Sequence, residues 1–162
     1  MKLKIYADGA PRGNPGPSAI AFMILIEEEN YLLEKRSGYV GIRTNNQAEY
    51  EALISALNCA INFSSQAACY SDSALVVNQI NGRIKIIDAK MRRLWRKLVG
   101  VKERFHRISF HHVPRTNEYI KEVDRLANQE LDKIMRKQED TIEATKPRKT
   151  TKQTTLCKKR GK

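Results

Sequence analysis

Asp8, Glu49, Asp72 and Asp124 are four carboxylates whose places along the chain say more than any one of them does alone. A single acid in a loop or at a helix start is ordinarily a solvated cap or half of an ion pair. Here Asp8 closes an alternating segment and Asp72 closes a short apolar run, which puts each at the carboxyl end of a strand. With those strands as parallel neighbours, both side chains emerge at one edge of a sheet. Glu49 and Asp124, each in the first turns of a helix, can reach the same edge. Clustered carboxylates raise one another's proton affinity unless cations neutralise them. Mg²⁺ is the natural counter-ion, a hard cation that binds through a few carboxylates, several waters and a substrate phosphate; Mn²⁺ is the expected substitute. Two such ions about 3.5 to 4 Å apart activate a water and stabilise the leaving oxygen of an in-line phosphodiester displacement. No nucleophilic side chain is then required.

The elements that must position these groups are legible in the hydrophobic pattern. Leu3, Ile5 and Ala7 alternate with Lys4, Tyr6 and Asp8, the period of a strand over residues 2–8. Residues 11–17 are dense in Gly and Pro and predict a turn. Strands over about 18–28 and 31–39, joined at Glu28-Glu29-Asn30, complete an antiparallel meander. Ala48, Ala52, Leu53, Ala56, Leu57 and Ala60 then fall at helical spacing, with Thr44 or Asn45 as N-cap. A strand over 67–71, a short helix over 74–80 stopped at Asn81-Gly82, and a longer helix over 88–105 follow. A fifth strand over 107–113 ends at Pro114, and a last helix over 120–135 turns Val123, Leu126, Ala127, Leu131 and Ile134 inward. The order βββαβααβα predicts an α/β fold: a five-stranded mixed sheet, three strands as an antiparallel meander plus parallel strands, flanked by helices.

Composition bounds the partner. The net charge is +12, which suits a polyanion. Of this, +8 lies between Lys146 and Lys162, where eight Lys or Arg meet no Asp or Glu. That segment has too little apolar surface to offset its ordering entropy. We therefore expect one catalytic domain over residues 1–140 and a basic, disordered tail over 141–162 able to tether nucleic acid. Cys59, Cys69 and Cys157 fall in no paired metal-ligand spacing and are expected to be reduced thiols. No secretory h-region follows Met1-Lys2 and no apolar run approaches membrane-spanning length, so a cytoplasmic monomer without membrane contact is expected.

Four blocks resemble one family, the type 1 ribonucleases H, over roughly residues 1–135. They are Tyr6-Ala7-Asp8-Gly9-Ala10 with Gly13-Asn14-Pro15-Gly16, Thr44-Asn45-Asn46-Gln47-Ala48-Glu49-Tyr50, Tyr70-Ser71-Asp72-Ser73, and His112-Val113-Pro114-Arg115 leading to Asp124-Arg125-Leu126-Ala127-Asn128. The resemblance implies a ribonuclease H-like fold and endonucleolytic cleavage of the RNA strand of an RNA/DNA hybrid, leaving 5′-phosphate and 3′-hydroxyl ends. It implies that Asp8, Glu49, Asp72 and Asp124 are the catalytic, metal-binding set. It also implies that Gly9, Asn14, Thr44, Asn45 and Asn46 line the hybrid's minor groove, where a 2′-hydroxyl distinguishes RNA from DNA.

The chain departs from the family pattern in three places. No His lies between Val113 and Asp124, where many family members carry one that helps product leave, and Arg115 is the candidate to substitute for it; Ile120 stands where the family often has Asn; and residues 83–88 are too short for the basic handle that some members insert. The chain therefore resembles the compact form. His111 and His112 are expected to be packing or surface residues. Two other readings keep the same scaffold: a silent hybrid- or RNA-binding module, and a related nuclease acting on a different nucleic acid.

Overall fold

Leu3, Ile5 and Ala7 face one hydrophobic core and Tyr6 faces another, on opposite sides of a central sheet. The computed structural model describes residues 1–147; residues 148–162, most of the expected basic tail, lie outside the described residues. Strand β1 (Leu3–Pro11) is the middle of the sheet, antiparallel to β2 (Gly16–Ile26) and parallel to β4 (Gln66–Ser71). β3 (Tyr31–Arg43) and β5 (Arg107–His112) form the two edges, giving the order β3-β2-β1-β4-β5. The mixed five-stranded sheet and the element order match the pattern expected from the sequence.

Helices α1 (Asn45–Ala60), α2 (Ala74–Ile80) and α3 (Ala89–Lys102) share the larger core with Leu3, Ile5 and Ile24. Tyr50, Leu53, Leu57, Val76 and Leu98 are fully buried there. Helix α4 (Glu118–Thr145) covers the other face, with Ile120, Val123, Ala127 and Leu131 fully buried against Tyr6, Ala19, Ala21 and Met23. Each large aliphatic side chain so buried contributes about 1.5–3 kcal/mol, so this stripe holds α4 and the residues it carries.

Among the boundaries that differ from the sequence expectation, such as α3 ending at Lys102 and β2 starting at Gly16, three have a clear physical reason. β1 does not end at Asp8: its parallel ladder with β4 stops at Tyr6↔Tyr70, but pairing with β2 continues through Asp8↔Ala21 to Pro11↔Ser18. Asp8 thus stands where β1 loses one neighbour and keeps the other. β3 runs on to Arg43, past Tyr39, through a register shift at which Gly41 adopts φ +87°, a conformation that favours glycine. α4 starts at an Asn117 cap and extends to Thr145, ten residues beyond the expected end at 135 and past the boundary placed at 140. Its last turns bury nothing; Ile142 is 58% exposed.

Candidate active site

Glu49 owes its position to the way α1 begins. The Thr44 hydroxyl accepts from the Gln47 amide at 3.2 Å while the Gln47 side chain accepts from the Thr44 amide at 3.0 Å. This reciprocal cap contributes about 1 kcal/mol and fixes the first turn. α1 then crosses β1 so closely that a Cβ on Gly9 would lie 2.4 Å from the Ala48 carbonyl carbon. Only glycine fits at that crossing. The Gly9 amide faces Glu49 and favours its charged form, and Ser71 Oγ lies 3.5 Å from Glu49 Oε2. Ser71 Oγ also accepts from the Ser73 amide at 3.1 Å, which shapes the turn carrying Asp72.

Asp8, Glu49 and Asp72 each offer an oxygen within 4.8 Å of the others. Asp8 and Glu49 are 4% exposed, and the Asp72 side chain is 10% exposed. Burial, followed by the charge of Glu49, pushes the Asp8 carboxyl far above the usual carboxylate range; burial also raises Glu49, so the pair holds a proton when no cation is present. Asp124, in the second turn of α4, is exposed. It stands outside the group of three but lines the same cavity, close enough to Asp8 to add to the rise in that carboxyl's proton affinity. That cavity, about 200 Å³, is also lined by Gly9, Asn45, Arg115 and Asn128. A larger hollow of about 620 Å³ beside Phe22, Cys59 and Phe63 has no carboxylate in its lining.

The other residues singled out from the sequence divide. Arg115, with a side chain 88% exposed, reaches 3.5 Å from Asp72 Oδ2 and is a cation at the mouth of the cavity. Asn14 does not line the cavity; its Oδ1 accepts from the Asn45 amide at 3.0 Å and ties the glycine-rich turn to the start of α1. Thr44 is the cap, and Asn46 is half-buried on the same turn; neither lines the cavity. Ile120 is fully buried against the sheet, and Asn117 caps α4 by accepting from the amides of Tyr119 and Ile120. His111 and His112 are both exposed. Sequence reasoning missed Asn128, whose side chain holds Asp124; an amide one helical turn after an acid is the only signal it offers.

A family model described as reverse transcriptase-like matches residues 6–130. A bifunctional protein of Mycobacterium tuberculosis is 37% identical over 134 residues, covering 82% of this chain and 36% of that protein. The ribonuclease HI of Halobacterium salinarum is 38% identical over 133 residues, covering 81% of this chain and 65% of the curated protein. The chain therefore spans about a third of the first of these relatives and just under two thirds of the second. The crystal structure of the Halobacterium salinarum enzyme superposes with a TM-score of 0.77 over 82% of this chain and 99% of that one. LC11-RNase H1 from compost, solved in complex with an RNA/DNA hybrid, gives 0.76 at 35% identity, covering 82% and 99%. Agreement of this extent in sequence and fold places the chain in the ribonuclease H-like superfamily, as a member of the type 1 ribonucleases H.

Proposed function

We propose that the protein hydrolyses the RNA strand of RNA/DNA hybrids, and that Asp8, Glu49, Asp72 and Asp124 do so with two bound Mg²⁺ ions. The observation that carries this reading is the gathering of three carboxylates, two of them almost fully buried, with a fourth on the rim of the same cavity. Burying several acids together is costly, and among the described residues no cation is buried with them; Arg115 lies at the mouth. An all-oxygen, anionic donor set fits a hard divalent cation and not a softer one. Bound ions of this kind supply Lewis acidity and an activated water at neutral pH.

The chain's own residues account for the rest. Asp8, Glu49 and Asp72 would hold the cations, and the proton that burial favours on Asp8 and Glu49 would leave as they do so. Asp124, on the open side, is placed to adjust as the scissile phosphate enters. Arg115 presents positive charge beside Asp72, where a phosphate oxygen of substrate or product would lie. Asn45, held by Asn14 at the start of α1, and the backbone at Gly9 line the cavity and offer polar groups suited to a 2′-hydroxyl. All four acids come from one chain, so a monomer suffices, and the buried free thiols Cys59 and Cys69 suit the reducing cytoplasm.

The test is a gel of end-labelled hybrid, duplex DNA, duplex RNA and branched DNA with purified protein, with and without Mg²⁺. Hybrid alone should be cut, only with the cation, and Asp72→Asn should abolish product while leaving the thermal transition intact. Wild-type cleavage by Asp72→Asn would refute the metal assignment. Salt-sensitive binding without product would favour a silent binding module.

A further inference from the structure

Four rings stand in a row across the α4 side of the sheet. Tyr119, at the start of α4, stacks on Tyr6 of β1 with centroids 4.6 Å apart; Tyr6 stacks on Tyr70 of β4 at 4.9 Å; Tyr70 stacks on His111 of β5 at 5.4 Å. The row follows from register, because Tyr6 pairs with Tyr70 and Tyr70 with His111 in the two parallel ladders. Burial fades along it: Tyr6 is buried, Tyr70 half-buried and His111 exposed. α4 packs on β1, β2 and β3, and β5 is the edge strand. Among the described residues no further strand stands beyond His111, so the stack ends on an open ring face.

Packing explains Tyr119 and Tyr6 but not the open end. The side chains of β4 and β5 on this face are Gln66, Ala68 and Tyr70, and Arg107, Ser109 and His111. No large aliphatic lies among them, which disfavours an apolar protein partner. Arg107 is exposed, four strand residues or about 13 Å from His111, and Arg115 is exposed beyond the strand's other end. Cations flanking a planar ring suit a phosphodiester strand with a base to stack. The row also leads to the catalytic edge, since Asp8 lies two residues beyond Tyr6 and Asp72 two beyond Tyr70.

We propose that the open face of His111, backed by Tyr70 and flanked by Arg107, forms a stacking site for an unpaired nucleotide of a nucleic acid strand running past the carboxylate edge. The proposal rests on the hydrolysis reading only for the identity of that strand. Base stacking on an exposed ring contributes enough for about a tenfold change in affinity.

The experiment titrates the full-length protein with a short single-stranded oligothymidylate, followed by affinity and by the ring resonances of His111 and Tyr70. The His111 ring should shift upfield and saturate, with Tyr70 beneath it moving less, His111→Ala should bind about tenfold more weakly, and His111→Phe should recover wild-type affinity. Binding without ring shifts, an unchanged affinity in His111→Ala, a failure of His111→Phe to rescue, or no binding at all would each overturn the proposal. Cleavage of a blunt hybrid by the wild-type protein is measured in parallel. Its absence would remove the hydrolysis reading while leaving the stacking site to stand or fall on the titration.

Discussion

Asn128 grips Asp124 twice: its side-chain amide donates to the Asp124 carbonyl at 3.0 Å and to the carboxylate Oδ1 at 3.2 Å. The same residue receives Arg12 on its backbone carbonyl at 3.3 Å, and Arg12 also pairs with Asp132. The turn after β1 is therefore clamped to the stretch of α4 that carries the most exposed of the four acids. Asn128 acts as a positioning residue. A solvent-exposed hydrogen bond of this type to a carboxylate is worth about 1 kcal/mol, so Asn128→Ala should lower kcat on a hybrid about three- to tenfold, with KM little changed. Steady-state kinetics decide it; a variant with wild-type kcat would mean that Asp124 needs no such guide.

Asp8 and Glu49 make stability depend on pH in a direction opposite to that of most carboxylates. Burial raises the proton affinity of both, helped by the charge of Glu49 at Asp8 and by that of Asp72 at Glu49. The folded state thus binds more protons than the unfolded one, and the slope of stability against pH is negative. Stability is full below the unfolded value near 4 and is lost as pH rises toward the raised folded values. In the absence of divalent ions, Asp8→Asn should therefore stabilise the protein at pH 7 by about 1–2 kcal/mol, raising Tm by about 3–6 °C. The gain should shrink at pH 4 and on adding Mg²⁺ to the wild type. Calorimetry at two pH values checks this, and a destabilised variant would show that the acids are not mutually repelling.

Gly9 should tolerate no side chain. The added Cβ of Gly9→Ala would meet the carbonyl carbon and oxygen of Ala48 at 2.4 and 2.6 Å, and a helix backbone cannot swing aside as a flexible side chain could. We expect a loss of about 2–4 kcal/mol in urea denaturation, together with loss of hybrid cleavage, because Glu49 follows Ala48 and moves with it. Ala10→Gly, one residue along, serves as the comparison for simple backbone loosening and should retain activity.

How much of this was legible beforehand depends on the range of the forces involved. Alternation along residues 3–8 and the stripe Val123, Ala127, Leu131 reflect burial repeated at a fixed period, so sequence alone exposes them. A cap at Thr44 or Asn45 was legible from local residue types, and the structure selects Thr44, whose partner Gln47 is three residues away. The site itself was visible as strand ends and helix starts, and the structure adds that Asp124 stands apart from the other three. What escaped depends on geometry between distant segments: the continuation of β1 past Asp8 rests on β2, and the crowding at Gly9 rests on a helix forty residues on. The final turns of α4 escaped for the opposite reason. They are solvated on all sides, carry no apolar period, and are held by i−4 bonds such as Thr141 to Lys137.

The continuation of α4 to Thr145 also sets where a truncation should fall. Removing residues 148–162 deletes seven of the eight Lys and Arg found after residue 145 and leaves the helix whole. If those charges contact phosphates, each lost contact flattens the dependence of log affinity on log salt by about 0.9 for duplex DNA, with hybrids comparable. The shortened chain should therefore bind hybrid more weakly at low salt and converge on the full-length protein as salt rises. Its single-turnover cleavage rate at saturating protein should be unchanged, because none of the four acids is touched. Fluorescence anisotropy at four salt concentrations measures the slope. Equal slopes for the two chains would leave solubility as the role of the basic segment, and a slower single-turnover rate would place it in the chemistry instead.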